Sequence, residues 1–150
     1  MRRFAIGFVM AALVAATYVA SALGVSSRNS TAVLHFYETP GQRVFIDNAP
    51  KGKYPSVGDT FLYTSPVFTR HGSRVGSDHR VCTVIGSLRF LCTEVLQLPN
   101  GQLMLQSLRT ATDPTTEIAV VGGTGAFVGA HGLMTTHSSG QRTTIDITLA

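Results

Sequence analysis

The chain has 150 residues, 44% of them hydrophobic and 13% charged, with a formal net charge of +4. This is the length of one domain with about half the charge of an ordinary soluble protein, too apolar for a disordered chain. The basic residues form no stripe, only scattered arginines, which excludes nucleic acid as a partner.

Residues 1–24 read as a signal peptide. Met1-Arg2-Arg3 gives a positive start, Phe4 to Ala16 is an unbroken run of apolar and small residues, and Ala20-Ser21-Ala22 supplies a small-residue cleavage pattern. An uncleaved anchor is the alternative, because no charge occurs between Phe4 and Val25. That segment would then be the only membrane contact. Either way, residues 25–150 form a secreted or extracytoplasmic domain whose abundant threonine and valine favour strands.

The first expected strand, 32–38, alternates Ala32, Leu34, Phe36 and Glu38 on one face with Val33, His35 and Tyr37 on the other. Glu38 thus ends an apolar row. It reads either as a cavity carboxylate or as a rim residue before the turn at Pro40. Residues 39–57, with Pro40, Pro50 and Pro55, read as a long loop over an opening. A second strand is expected over 58–66, opening with Gly58 and Asp59, and a connection follows from Arg70 to Arg80.

Strands 79–86 and 89–98 flank a turn at Gly86-Ser87. With the hairpin centred on Ser87, Cys82 and Cys92 face each other and a structural disulfide is within reach, favoured by export. Two buried free thiols are the other reading. Two cysteines with no suitably spaced histidine pair make no zinc site, and no metal is expected. Strand 89–98 puts Phe90, Cys92, Glu94, Leu96 and Leu98 on one face, with Glu94 read as a rim residue whose carboxylate reaches water.

Leu98-Pro-Asn-Gly-Gln102 carries the Asn-Gly pair of tight hairpins and leads into a strand at 102–108. Strand 116–122 runs into Gly122-Gly123-Thr124-Gly125, which superficially suggests dinucleotide binding. The glycine spacing is one residue too long, and too little chain follows for a βαβ unit. Gly122, Gly123 and Gly125 fit a tight connection with close backbone approach instead. The last strands, 128–137 and 142–149, flank a turn at Ser138-Ser-Gly-Gln141, and Ile145, Ile147 and Leu149 alternate with Thr144, Asp146 and Thr148. The histidines His35, His71, His79, His131 and His137 read as surface or satisfied residues, and no nucleophile elbow is present.

Eight short strands and no sustained helical period imply an all-β, eight-stranded antiparallel barrel, a closure that removes exposed edges. Its interior has room for side chains or for one small ligand.

Val120-Val-Gly-Gly-Thr-Gly-Ala-Phe-Val-Gly-Ala-His-Gly132 resembles the glycine-rich strand pair of the allene oxide cyclase and dirigent superfamily. Val57-Gly-Asp-Thr-Phe-Leu-Tyr-Thr64, Arg74-Val-Gly76, Val81-Cys-Thr-Val84 and Leu98-Pro-Asn-Gly-Gln-Leu-Met-Leu-Gln106 follow the same family's order and spacing. The resemblance, nearest to bacterial secreted barrel-like members, spans roughly residues 33 to 149. It implies a lipocalin-like barrel, a homotrimer, no cofactor, and an elongated apolar cavity holding a flexible unsaturated ligand. It also implies that Glu38 stabilises developing positive charge, as a catalytic residue, and that Ser65 and Cys82 contact the ligand; Leu34 and Phe36 are expected to contact it because alternation puts them on the Glu38 face. The chain departs from the cyclase pattern at Pro40 and Ser65, which stand where two asparagines hold a water, and at Cys92, which has no counterpart there. His131 replaces an arginine common in dirigent proteins.

Whether the chain is an enzyme is open at this point. The leading expectation is a barrel that steers cyclisation or stereoselective coupling of a small apolar, unsaturated molecule, an isomerase- or cyclase-like role. A non-catalytic barrel for hydrophobic ligands and a cell-surface interaction protein are the alternatives.

Overall fold

The structure is a computed structural model and describes residues 32–48 and 55–150; the expected signal segment lies outside them. Among the described residues, strands run at β1 (Ala32–Glu38), β2 (Gln42–Ile46), β3 (Thr60–Thr69), β4 (Arg74–Gly86), β5 (Arg89–Leu98), β6 (Gly101–Thr110), β7 (Thr115–Gly123), β8 (Gly132–Ser139) and β9 (Arg142–Leu149). Every ladder is antiparallel, in the order β1-β9-β8-β7-β6-β5-β4-β3-β2, and β1 also pairs with β3. That pairing closes an eight-stranded barrel and leaves β2 as an extra strand on β3.

The closure shares one edge of β3 between two partners. Its first half, Thr60 to Thr64, pairs with β2, and its end, Val67 to Thr69, pairs with β1. Ser65 and Pro66 lie in the interval between them, where a proline without an N–H is tolerated inside a strand. The barrel therefore has a seam at Ser65, beside the Thr39-Pro40-Gly41 link that carries the chain from β1 to β2.

Three segments differ from the sequence expectation. Residues 39–57 contain β2 rather than a pure loop, because β3 offers it a free edge. β4 starts at Arg74 rather than at residue 79, which places Arg74 to Asp78 in a strand and not in a connection. β8 begins at Gly132, after a 3₁₀ turn at Gly125–Phe127, so His131 precedes the strand.

Period-two alternation carries the interior. Cys92, Glu94, Leu96 and Leu98 are buried along β5, Leu103, Leu105 and Ser107 along β6, and Ile145 and Ile147 along β9. One end of the barrel is filled by an apolar cluster that includes Val67, Leu96, Leu103, Leu105, Ile118, Met134 and Ile147, with Leu34 and Phe36 packed against it. Each such aliphatic side chain contributes about 1.5–3 kcal/mol on burial. The other end holds a smaller cluster of Phe61, Cys82, Val84 and Cys92, with Phe45, Tyr63 and Phe90 against it. Polar side chains occupy the space between the two.

The glycine motifs serve the backbone. Gly58 adopts φ +99° and donates its N–H to Val84 O at 2.8 Å. Buried Asp59 accepts the N–H groups of Ser56 at 2.7 Å and Asn48 at 3.1 Å, which ties the approach to β3 onto β4. Gly122 and Gly123 end β7. A Cβ on Gly125, which has φ +61°, would sit 2.3 Å from Asn100 O, so only glycine lets the β5–β6 hairpin rest on this segment.

Candidate functional site

A cavity of about 380 Å³ opens at the end of the barrel that holds the smaller cluster. One wall comes from β3 to β5 and presents Phe61, Tyr63, Phe90 and the Cys82–Cys92 disulfide; the opposite wall presents Thr116, Thr136, Ser138 and Thr143 from β7 to β9. A side cavity of about 270 Å³ opens at the seam, lined by Ser65, Pro40, Gly41 and Gln141, and shares Glu38, Arg43, Tyr63, Arg80 and Thr143 with the first. Glu38 and Arg80 therefore stand where the two spaces meet.

Register explains why charges gather there. Tyr63 pairs with Arg80 and Arg80 with Glu94, while Cys92 pairs with Ser107 and Phe90 with Arg109. The Arg80 guanidinium donates to three carboxylates: Glu94 through Nε, and Asp78 at 2.5 Å and Glu38 at 3.2 Å through Nη2. Arg109 donates to Glu94 at 2.8 Å and, through Nε, to Ser107 Oγ at 3.1 Å. Glu38, Asp78 and Glu94 are all buried. Charges so far from water persist only in such paired networks.

Three carboxylates share two guanidiniums, and the shortfall falls on Asp78. Burial pushes its pKa up to about 7, the Arg80 charge opposes that rise, and the Glu94 and Glu38 charges add to it. Its Oδ1 is buried without a hydrogen-bond partner among the described residues. For Arg80, burial favours losing the proton but the charges of Glu94, Asp78 and Glu38 outweigh it and hold the proton more tightly than usual. Burial lowers the pKa of Arg109, partly offset by Glu94. Of the three groups so shifted, Asp78 is the one whose shift brings it toward neutrality.

Of the residues singled out in the sequence, Glu38 lines both cavities, Cys82 the main one and Ser65 the side one. Leu34 and Phe36 line neither and pack in the filled end, because the apolar side chains of the larger cluster occupy the barrel interior there. Cys82 and Cys92 form the disulfide, and neither is free. The rim reading of Glu94 is corrected: its side chain is fully buried and paired with two arginines. Asp78, Arg80, Arg109 and Arg43 escaped notice in the sequence. The usable signal was period two, since Asp78, Arg80, Cys82 and Val84 fall on one face once β4 extends back to Arg74.

The family described as "Allene oxide cyclase barrel like domain" matches residues 43–149. No curated protein matches the chain in sequence. Among solved structures, a pyocyanin demethylase superposes with a TM-score of 0.70 at 20% identity, covering 79% of this chain and 100% of that one. A pterocarpan synthase dirigent protein gives a TM-score of 0.65 at 21% identity, covering 79% and 83%. An exo-specific intermolecular Diels-Alderase gives 0.62 at 15% identity, covering 80% and 98%.

Proposed function

The chain belongs to the allene oxide cyclase barrel-like domain family, and from that premise we propose that it is an exported barrel that steers the ring closure or coupling of a small unsaturated molecule. The observation that carries this reading is the junction of the two cavities, where the Glu38–Arg80 ion pair faces an aromatic wall on one side and hydroxyls on the other. A flexible molecule held there is limited to few conformations, and fixed charges act strongly on a polarised transition state where water is excluded. Glu38 stabilises developing positive charge, and Arg80 positions the carboxylate and receives negative charge that builds on a ligand oxygen. Residues 1–24 direct export and residues 25–150 form the working domain, assembled as a homotrimer through the outer face of the barrel.

A dirigent protein, a demethylase and a Diels-Alderase share this fold at low identity, and their reactions differ. The barrel supplies the enclosure, and the side chains at the junction select the reaction.

Glu38→Gln tests the reading, since it keeps the shape of the side chain and removes its charge. The expected outcome is loss of product formation or stereocontrol by at least about tenfold, with folding and ligand binding retained. Wild-type turnover and stereochemistry in the variant would remove Glu38 from the reaction. Binding without any turnover by the wild-type protein would mark a carrier instead.

A further inference from the structure

Arg43, on β2, lines both cavities, and its guanidinium lies 4.6 Å from the ring centroid of Phe61 and 5.6 Å from that of Tyr63. All eight acidic residues of the sequence fall within the described residues, and among the described residues the basic partners in their ion pairs are His35, Arg70, Arg80 and Arg109. Among the described residues, no carboxylate makes an ion pair with Arg43. Glu38 and Asp113 line the same cavity, but Glu38 is bonded to Arg80 and neither carboxylate makes an ion pair with Arg43, so the Arg43 guanidinium has open donors at the mouth.

Contact with the two rings restricts the rotamers of this guanidinium, so less entropy is lost when it captures an anion. The same rings, with Phe90, form the aromatic wall that runs inward from it. A cation at the mouth beside an aromatic wall, with hydroxyls on the wall opposite, is complementary to a molecule with an acid group at one end and a flat conjugated body.

Resting on the function proposed above, we propose that the ligand is a conjugated carboxylic acid whose carboxylate pairs with Arg43 at the mouth while its unsaturated body lies along Phe61, Tyr63 and Phe90. Arg43 then fixes which end of the ligand enters first, and so which bond reaches Glu38 and Arg80. The guanidinium makes charge-assisted, fork-shaped contacts that a neutral ligand end does not return.

The test compares trans-cinnamate with cinnamyl alcohol, which share the body and differ in the charged end, by calorimetric titration at low salt into the wild-type protein, Arg43→Gln and Arg43→Lys. The wild type is expected to bind cinnamate about tenfold or more tightly than the alcohol, the size of one charge-assisted contact. Arg43→Gln should erase that preference and leave the alcohol within about twofold, and Arg43→Lys should keep part of it. Added salt should narrow the wild-type gap. Equal binding of both probes by the wild type, or a preference that survives Arg43→Gln, overturns the proposal and leaves the binding cavity standing. Failure of both probes to bind at millimolar concentration overturns it together with the reading of the cavity as a site for conjugated ligands.

Discussion

Asp78 carries the clearest chemical signature in the barrel, a buried carboxyl with one oxygen bonded to Arg80 and the other without a partner among the described residues. Its pKa is pushed up to about 7 in the folded protein from an ordinary value of 3.8. Between those values the folded protein binds a proton that the unfolded chain has released. Stability therefore falls as pH rises through this window and is lowest above it, the reverse of the usual salt-bridged aspartate. Urea unfolding of the wild type should show a midpoint that rises from pH 8 to pH 5 by more than in Asp78→Asn, whose amide has no proton to gain. Parallel curves for the two proteins would mean that Asp78 is ionised across the range. Glu94 shows how far single residues were legible. A lone acid on an apolar strand face looks like a rim residue, since the arginines that neutralise it, Arg80 and Arg109, lie 14 and 15 positions away in the chain and meet it only through the ladders.

Among the elements, the β4–β5 hairpin does the most to build the site. Its disulfide joins Cys82 to Cys92, and the next inward pair on the same two strands is Arg80 with Glu94. The bridge thus holds the register on which the charge network depends, since a slip of one strand by one residue would turn its charged side chain outward and leave the other unpaired. Reduction, or replacement of both cysteines by alanine, should lower stability by about 2–3 kcal/mol. Thiol labelling of the unreduced, denatured protein should find no free cysteine, and two labelled thiols would contradict the bridge. This hairpin was readable because its turn is local and Ser87 lies midway between the cysteines. Strands 32–38, 89–98 and 142–149 were readable too, with their ends placed as observed, because apolar and polar residues alternate cleanly in them. β2 was not, since a short segment among prolines becomes a strand only when β3 supplies a partner. The start of β4 was hidden for a related reason: its inward positions hold Asp78 and Arg80, so a hydrophobic period cannot mark it.

At the scale of the whole molecule, one end of the barrel is packed solid and the other is open, so any ligand is confined to the half that contains Glu38, Arg80 and Arg43. The outer wall carries exposed Val81, Ile85, Leu91, Met104 and Leu108 on β4 to β6, and the ladder places Leu91 beside Leu108. An apolar surface of that kind is costly in water and fits burial between protomers. Sedimentation equilibrium should give three times the mass of the mature chain, and a monomer at all concentrations would refute the trimer. The central claim, that the junction cavity receives a small unsaturated molecule, is tested most directly by methyl-resolved NMR during titration with cinnamyl alcohol, a neutral probe whose binding does not depend on Arg43. The methyl groups of Thr116, Thr136 and Thr143, which line the cavity, should shift saturably together, while those of Val81, Leu108 and Leu133 on the outer face stay in place. Saturable shifts confined to the outer methyl groups, or none at either set, would contradict it.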